Sequence, residues 1–261
     1  RVTRRRADSL LAERGLAPSR TAAAASVRAG RVRLGPDGPE VQKPSELVPE
    51  TAELVIEAEQ EFVSRGGEKL ANALDALPIE VDGRRCLDVG ASTGGFTDCL
   101  LQRGAAIVIA LDVGYGQLDW RLRQDSRVLV MERINARALG EPSLPFRPEL
   151  ITVDVSFISL AKLLGPITDC AAPQFDLLAM VKPQFELGKE RVGKGGVVRD
   201  PDDRRDAIRQ VAGAAESAGL VVRGLAPSGL PGPKGNLEAF IWATRDGEGI
   251  DLARALEEVE V

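Results

Sequence analysis

Cys86-Leu87-Asp88-Val89-Gly90-Ala91-Ser92-Thr93-Gly94-Gly95-Phe96-Thr97 is the stretch on which the fold turns. A short apolar run opens it and reads as a buried strand. Three glycines come next within six residues, and Phe96-Thr97-Asp98-Cys99-Leu100-Leu101 reads as the first turns of a helix. Glycine lets a backbone approach a ligand closely, and a helix start presents free N–H groups. Strand, glycine turn and helix in that order predict the first α/β unit of a nucleotide-type pocket. A dinucleotide site asks for G-x-G-x-x-G, whereas Ser92 stands where the second glycine would be.

An acidic residue in the strand followed by this glycine spacing resembles the first motif of S-adenosyl-L-methionine-dependent methyltransferases. The resemblance implies a cofactor held by Asp88, Gly90, Ala91, Ser92, Thr93, Gly94, Gly95 and Phe96. The next apolar run, Ala106 to Leu111, ends at Asp112. A carboxylate there can accept hydrogen bonds from both ribose hydroxyls of an adenosine. Asn135, after the third strand, is placed to face the adenine or equally to cap its own loop.

The 261 residues fit one large domain, or a medium domain with a small appendage. Apolar residues make up 44%, enough for a buried core, and no apolar run approaches the length of a membrane span. With no signal-peptide pattern either, a soluble, cytoplasmic protein with no membrane partner is expected. The first residue is Arg1 rather than Met, which points to a trimmed start. There is no histidine, which removes a His general base, a Ser-His triad and any His-ligated metal. Proton transfer then falls to Lys, Asp, Glu or water. Cys86, Cys99 and Cys170 show no paired spacing, so reduced, structural thiols and no metal site are expected.

Charge is unevenly spread. Residues 1–33 carry nine arginines against two acids, Asp8 and Glu13, a net of +7; with −5 for the whole chain, the remainder carries −12. Such asymmetry predicts a small basic module joined to an acidic one. Arg6 to Leu16 reads as a short amphipathic helix closed by Gly15, and Arg20 to Ala29 as a second, capped by Ser19 and closed by Gly30. Short strand candidates lie beyond, at Val32-Arg33-Leu34 and Leu54-Val55-Ile56. Two short helices and then small strands, with the Arg28-Ala29-Gly30-Arg31-Val32 turn, resemble the α-L RNA-binding fold. Its arginines, Arg4, Arg6, Arg14 and Arg20 with Arg65 beyond, would meet phosphates and set orientation without reading sequence.

Beyond the acidic connector Glu57 to Glu61, apolar runs alternate with helical patterns. A helix leads through Leu77, and strands end near Val89, Asp112, Met131, Asp154 and Lys182. A helix is expected after Ser156 and a long one over Asp202–Ala218; Leu220-Val221-Val222 and Glu238 to Ala243 form a closing hairpin at one edge. This alternation predicts an α/β fold, a mainly parallel sheet with helices on both faces. Ligands of such sheets sit beyond the carboxyl ends of the strands, where Asp154 and Lys182 fall. Lys69 opens the preceding helix and Glu238 opens the last strand.

Lys69, Asp154, Lys182 and Glu238 resemble the Lys-Asp-Lys-Glu tetrad of FtsJ-like ribose 2′-O-methyltransferases. With the N-terminal module, and with Ser64 to Leu70, Asp154 to Ser159 and Met180 to Glu186, the chain is similar to the TlyA family of ribosomal RNA methyltransferases. Thr93 replaces a proline usual in the glycine motif of other FtsJ-like enzymes. The resemblance implies a Rossmann-like class I methyltransferase domain at 66–261, a linker at 59–65 and an α-L RNA-binding domain at 1–58. It further implies S-adenosyl-L-methionine as cofactor, and cytidines on small- and large-subunit ribosomal RNA as targets.

A ribose 2′-hydroxyl is a very weak acid, so it needs positioning and help in losing its proton. Lys182 is expected as base or as oxygen-positioning cation. It can be a base only where burial or a neighbouring cation such as Lys69 disfavours its charged form. Asp154 would orient Lys182 and sit near the sulfonium of the cofactor, and Glu238 would tether Lys69 or a ribose hydroxyl. Two other classes stay open: a membrane-lytic haemolysin, and a non-catalytic RNA-binding assembly factor. Lone Lys69 or Glu238 would otherwise read as solvated surface charge.

Overall fold

A computed structural model describes residues 3–57, 61–140 and 143–261. The chain divides into two compact units, Arg1–Gln60 and Glu61–Val261. The first holds β1 (Arg4–Arg6), α1 (Ala7–Glu13), α2 (Arg20–Arg28), β2 (Val32–Leu34), β3 (Leu47–Pro49) and β4 (Leu54–Ile56). β1 pairs with β3 and β2 with β4, both antiparallel. Leu10, Leu11, Ala23, Val27, Val48 and Leu54 close its core. Ser19 caps α2 by accepting from the Ala22 N–H at 3.1 Å, and Gly30 ends that helix at a φ of +70°. The strand at Arg4–Arg6 is a correction to the sequence reading, in which Arg6 opened a helix. Its partner lies some forty residues away, and pairing over that distance leaves no local pattern.

The second unit runs α3 (Arg65–Ala76), β5 (Arg85–Val89), α4 (Gly95–Gln102), β6 (Ile107–Asp112), α5 (Trp120–Gln124), β7 (Val128–Glu132), β8 (Leu150–Val153), α6 (Leu164–Asp169), β9 (Asp176–Val181), α7 (Pro183–Glu186), α8 (Pro201–Ser217), β10 (Val221–Pro227), β11 (Ala239–Thr244) and α9 (Leu252–Glu258). Among the described residues its seven strands order as β10-β11-β9-β8-β5-β6-β7. β11 is antiparallel to both neighbours, and the pairings from β9 to β7 are parallel. The hairpin expected at one edge is therefore present, and the class is the α/β fold read from the alternation.

The two sheet faces separate by residue parity, because strand side chains alternate. Odd positions such as Leu87, Ile109, Ile151, Leu177 and Ile241 pack with α6, α8 and α9. Even positions such as Cys86, Ala110, Leu150, Met180 and Phe240 pack with α3, α4 and α5. Two local expectations change. No helix starts directly after Ser156: Phe157 takes a φ of +66°, a 3-10 turn covers Leu160–Lys162, and α6 starts only at Leu164. The stretch 59–65 is not all linker, since Phe62 is buried in the α3/α4 core and Arg65 opens α3. Residues 58–60 of that connector lie outside the described ones.

Candidate active site

Parity also explains the site. The even face that buries Ala110 and Met180 continues past the strand ends as Asp112, Glu132, Asp154, Lys182 and Glu238. Asp154 follows β8, and its N–H bonds the Val89 carbonyl at 2.9 Å. Lys182 follows β9 and Glu238 precedes β11, which runs the opposite way. The four tetrad residues form two ion pairs: Lys69 Nζ lies 2.5 Å from Glu238 Oε2, and Lys182 Nζ lies 2.5 Å from Asp154 Oδ1. The first pair is almost wholly buried between α3 and β11; the second is partly open. Each lysine thus has its own carboxylate, whereas the sequence left Glu238 free to choose between Lys69 and a ribose. Lys182 also donates to Ser156 Oγ at 3.2 Å.

The glycine turn is tied to the end of β6. Gly90 and Ala91 N–H groups bond the Leu111 carbonyl, and Ser92 N–H donates to Asp112 Oδ2 at 2.8 Å. Gly114 N–H donates to Asp112 Oδ1 at 2.7 Å, so one carboxylate joins two loops. Gly90 sits at a φ of +86°, and a Cβ there would strike the Asp154 carbonyl oxygen. Gly94 sits at +101° against Leu122, where a side chain would fill the same space. Ser92, Arg133 and Phe157 are non-glycine residues with positive φ, and all three follow strand ends on this edge. Backbone strain of this kind gathers at ligand sites.

A cleft opens here, lined by Ala91, Ser92, Ala110, Asp112, Gly114, Gln117, Leu118, Val130 and Glu132. Glu132 and Gln117 were missed in the sequence. Glu132 ends β7 on the even face, a signal that parity could have supplied; it accepts from Gly116 N–H at 3.0 Å and from Arg123. Of the residues read as cofactor ligands, Ala91, Ser92 and Asp112 line the cleft; Gly90, Thr93, Gly94, Gly95 and Asp154 are not in its lining, and Asp88, Phe96 and Asn135 are engaged elsewhere. Asp88 is 0% exposed and sits beneath the turn, where Thr97 Oγ1 donates to its Oδ2 at 2.8 Å. Burial pushes its carboxyl up to about 7, aided by the charges of Asp154 and Asp112 and opposed by the Thr97 bonds. Phe96 is buried with its ring 5.8 Å from that of Phe240. Asn135 Oδ1 accepts from Arg137 N–H at 3.0 Å, which is the loop-capping alternative.

The loop after β8 is held by α7. Ser159 Oγ–H donates to Glu186 Oε2 at 2.6 Å, and Leu160 N–H to Oε1 at 2.9 Å. Burial pushes the Glu186 carboxyl up while these two donors pull it back. Phe157 is 91% exposed and its ring lies 5.1 Å from that of Phe185.

In the N-terminal unit the arginines mostly hold the module itself. Arg6 grips the buried Asp8 with two bonds, of 3.0 and 2.8 Å, and Arg20 adds a third at 3.2 Å. The Arg6 guanidinium, ahead of Arg20, holds the Asp8 carboxyl far below the usual range. Arg14 donates to the Glu50 and Ala52 carbonyls, and Arg4 is exposed. In the second unit Arg65 donates to the Pro231 carbonyl at 3.1 Å.

A family model described as FtsJ-like methyltransferase matches residues 62–245. A Mycobacterium tuberculosis protein named 16S/23S rRNA (cytidine-2'-O)-methyltransferase TlyA is 49% identical over 257 residues, 98% of this chain and 95% of its own. The chain belongs to the TlyA family of FtsJ-like methyltransferases. A solved hemolysin-named chain from Streptococcus thermophilus is 36% identical to this TlyA-family chain, with a TM-score of 0.74 over 99% of it and 96% of that structure. An S-adenosylmethionine-dependent methyltransferase from Mesorhizobium loti is only 16% identical, with a TM-score of 0.51 over 70% of this chain and 100% of its own, and shows the shared fold. Among the described residues of the TlyA-family chain, no helix is long and apolar enough to cross a membrane, and no acid or thiol cluster could hold a metal ion.

Proposed function

We propose that this chain transfers a methyl group from S-adenosyl-L-methionine to a ribose 2′-hydroxyl of cytidines in small- and large-subunit ribosomal RNA, in the cytoplasm. The observation that carries this reading is the pair of ion pairs, Lys69–Glu238 and Lys182–Asp154, on the ligand edge of a methyltransferase sheet. The name of the Mycobacterium tuberculosis relative supports ribosomal cytidines as targets.

The cleft residues fit the cofactor. Asp112 keeps lone pairs for ribose hydroxyls after accepting from Ser92 and Gly114, while Ala91, Ala110, Leu118 and Val130 offer apolar walls to a purine. S-adenosyl-L-methionine, when bound, supplies a methyl on a sulfonium cation. The Lys182 ammonium holds the 2′-oxygen in line by hydrogen bonding, and the 2′ proton leaves to water as the methyl bond forms. Asp154 fixes the Lys182 ammonium, and Ser156 steadies it from the other side. The buried Lys69–Glu238 pair supports the same edge. The exposed Phe157 ring offers an unstacked base a flat face, the common way of holding single-stranded RNA. In the N-terminal unit, Arg4 and the open edges of Arg6 and Arg20 meet phosphates.

The test is methyl transfer to purified ribosomal subunits, with the product mapped as 2′-O-methylated cytidine by resistance to alkaline cleavage. Lys182→Ala should lower turnover by at least about a hundredfold and leave cofactor affinity nearly unchanged. Near-normal turnover would remove Lys182 from the chemistry. Leakage of lipid vesicles without methyl transfer would favour the lytic reading instead.

A further inference from the structure

Three residues of one short turn hold the whole loop that leaves β8. Lys182 caps the start of α7, Phe185 and Glu186 lie within it, and all three side chains reach the same loop. Lys182 Nζ takes Asp154 at 2.5 Å and Ser156 at 3.2 Å. The Phe185 ring meets Phe157 at 5.1 Å. Glu186 takes both the Ser159 hydroxyl at 2.6 Å and the Leu160 N–H at 2.9 Å. Between the first and last of these grips the backbone passes through Phe157 at a φ of +66°. A bulky side chain adopts that conformation only where its surroundings impose it. A carboxylate with both oxygens engaged by one loop supplies such a constraint.

We infer that Glu186 is a positioning residue: it latches the Asp154–Leu160 loop to the turn that carries Lys182, and so sets the geometry of Asp154, Ser156 and Phe157 around the Lys182 ammonium. Glu186 touches neither the cofactor cleft nor the reacting atoms; it acts through the loop. The inference rests on the methyl-transfer reading of this edge for its effect on turnover, though the latch itself is a property of the free protein. Glu186→Gln keeps the size and one acceptor oxygen, with an amide that can donate to Ser159 Oγ. Glu186→Ala keeps neither.

Two measurements on the full chain test it. The first is hydrogen–deuterium exchange of residues 156–160 without RNA or cofactor. Glu186→Ala should speed exchange of the Leu160 amide by at least about tenfold, Ser159→Ala by a smaller factor, and Glu186→Gln should stay near wild type. The second is methyl transfer with cofactor affinity measured alongside. Glu186→Ala should lower kcat by at least about tenfold with cofactor affinity within about twofold, and Glu186→Gln should restore most of it. A residue that only stabilised the fold would lower the unfolding midpoint and leave kcat of the folded fraction intact. Unchanged exchange in both Glu186→Ala and Ser159→Ala overturns the latch. Full kcat in Glu186→Ala, or a loss matched by lost cofactor affinity, overturns the positioning role. Should Glu186→Ala fail to fold, Ser159→Ala carries both measurements alone. Wild-type protein inactive on ribosomal RNA would sink the proposed function, and the exchange data would still decide the latch.

Discussion

Two carboxylates show how much environment decides a residue's part. Asp112 and Asp88 both lie on the even face of adjacent strands, two positions apart in register, since Asp88 pairs with Ala110. Asp112 lies at the mouth of the cleft and bonds two backbone N–H groups. Asp112→Ala should weaken S-adenosyl-L-methionine binding by about 1.5–3 kcal/mol, the range for hydrogen bonds to a charged group. Titration calorimetry showing unchanged affinity in a folded variant would remove Asp112 from the site. Asp88, one layer deeper, is raised from an ordinary 3.8 to about 7, first by burial. The native state then holds this proton more tightly than the unfolded chain does. The stability it contributes is fully present below about pH 4 and is lost as pH rises through about 7. Asp88→Asn cannot ionise, so its stability relative to wild type should rise between pH 5 and pH 7.5. Urea unfolding at the two pH values measures this, and a constant difference would show that Asp88 is not raised.

At the scale of elements, the Lys69–Glu238 pair joins α3 to β11 across 169 residues of sequence. Both side chains are nearly inaccessible, so removing one partner strands a buried charge. Glu238→Ala should destabilise the second unit by about 3–5 kcal/mol. The double variant Lys69→Met, Glu238→Leu removes both charges and should recover much of that loss without recovering methyl transfer. Denaturant midpoints for the single and double variants check the first part. Equal destabilisation in both would mean that packing, not charge, sets the cost.

For the molecule as a whole, the division of charge predicts a division of labour. Residues 1–33 carry nine arginines, while the chain overall is at −5. Asp8 engages part of that charge internally by gathering Arg6 and Arg20, which still leaves two guanidiniums partly open and side by side. A fragment beginning at Glu61 should fold, because its seven strands complete one sheet. It should bind cofactor like the full chain and lose methylation of ribosomal subunits. RNA binding by the full chain should fall steeply with salt, and the fragment should lack that slope. Full methylation by the fragment would place recognition on the catalytic unit.

The sequence by itself determined the α/β class, the glycine turn and the candidacy of Asp112, Asp154 and Lys182. Those readings depend on alternation within a strand and on the polar residue next to its apolar run, and both are local properties of the covalent chain. Only the tertiary structure decided which lysine meets which carboxylate. It also decided that Asp88 and Phe96 lie beneath the cleft rather than in it, and that Arg4–Arg6 is a strand. Strand order and helix placement bring residue 69 to 238 and residue 159 to 186, and a short window of sequence carries no trace of such partners. The helix misplaced at Ser156 has the same origin. Phe157 is held left-handed by Lys182, Phe185 and Glu186 from another strand's end, so tertiary contacts override the local preference to start a helix there.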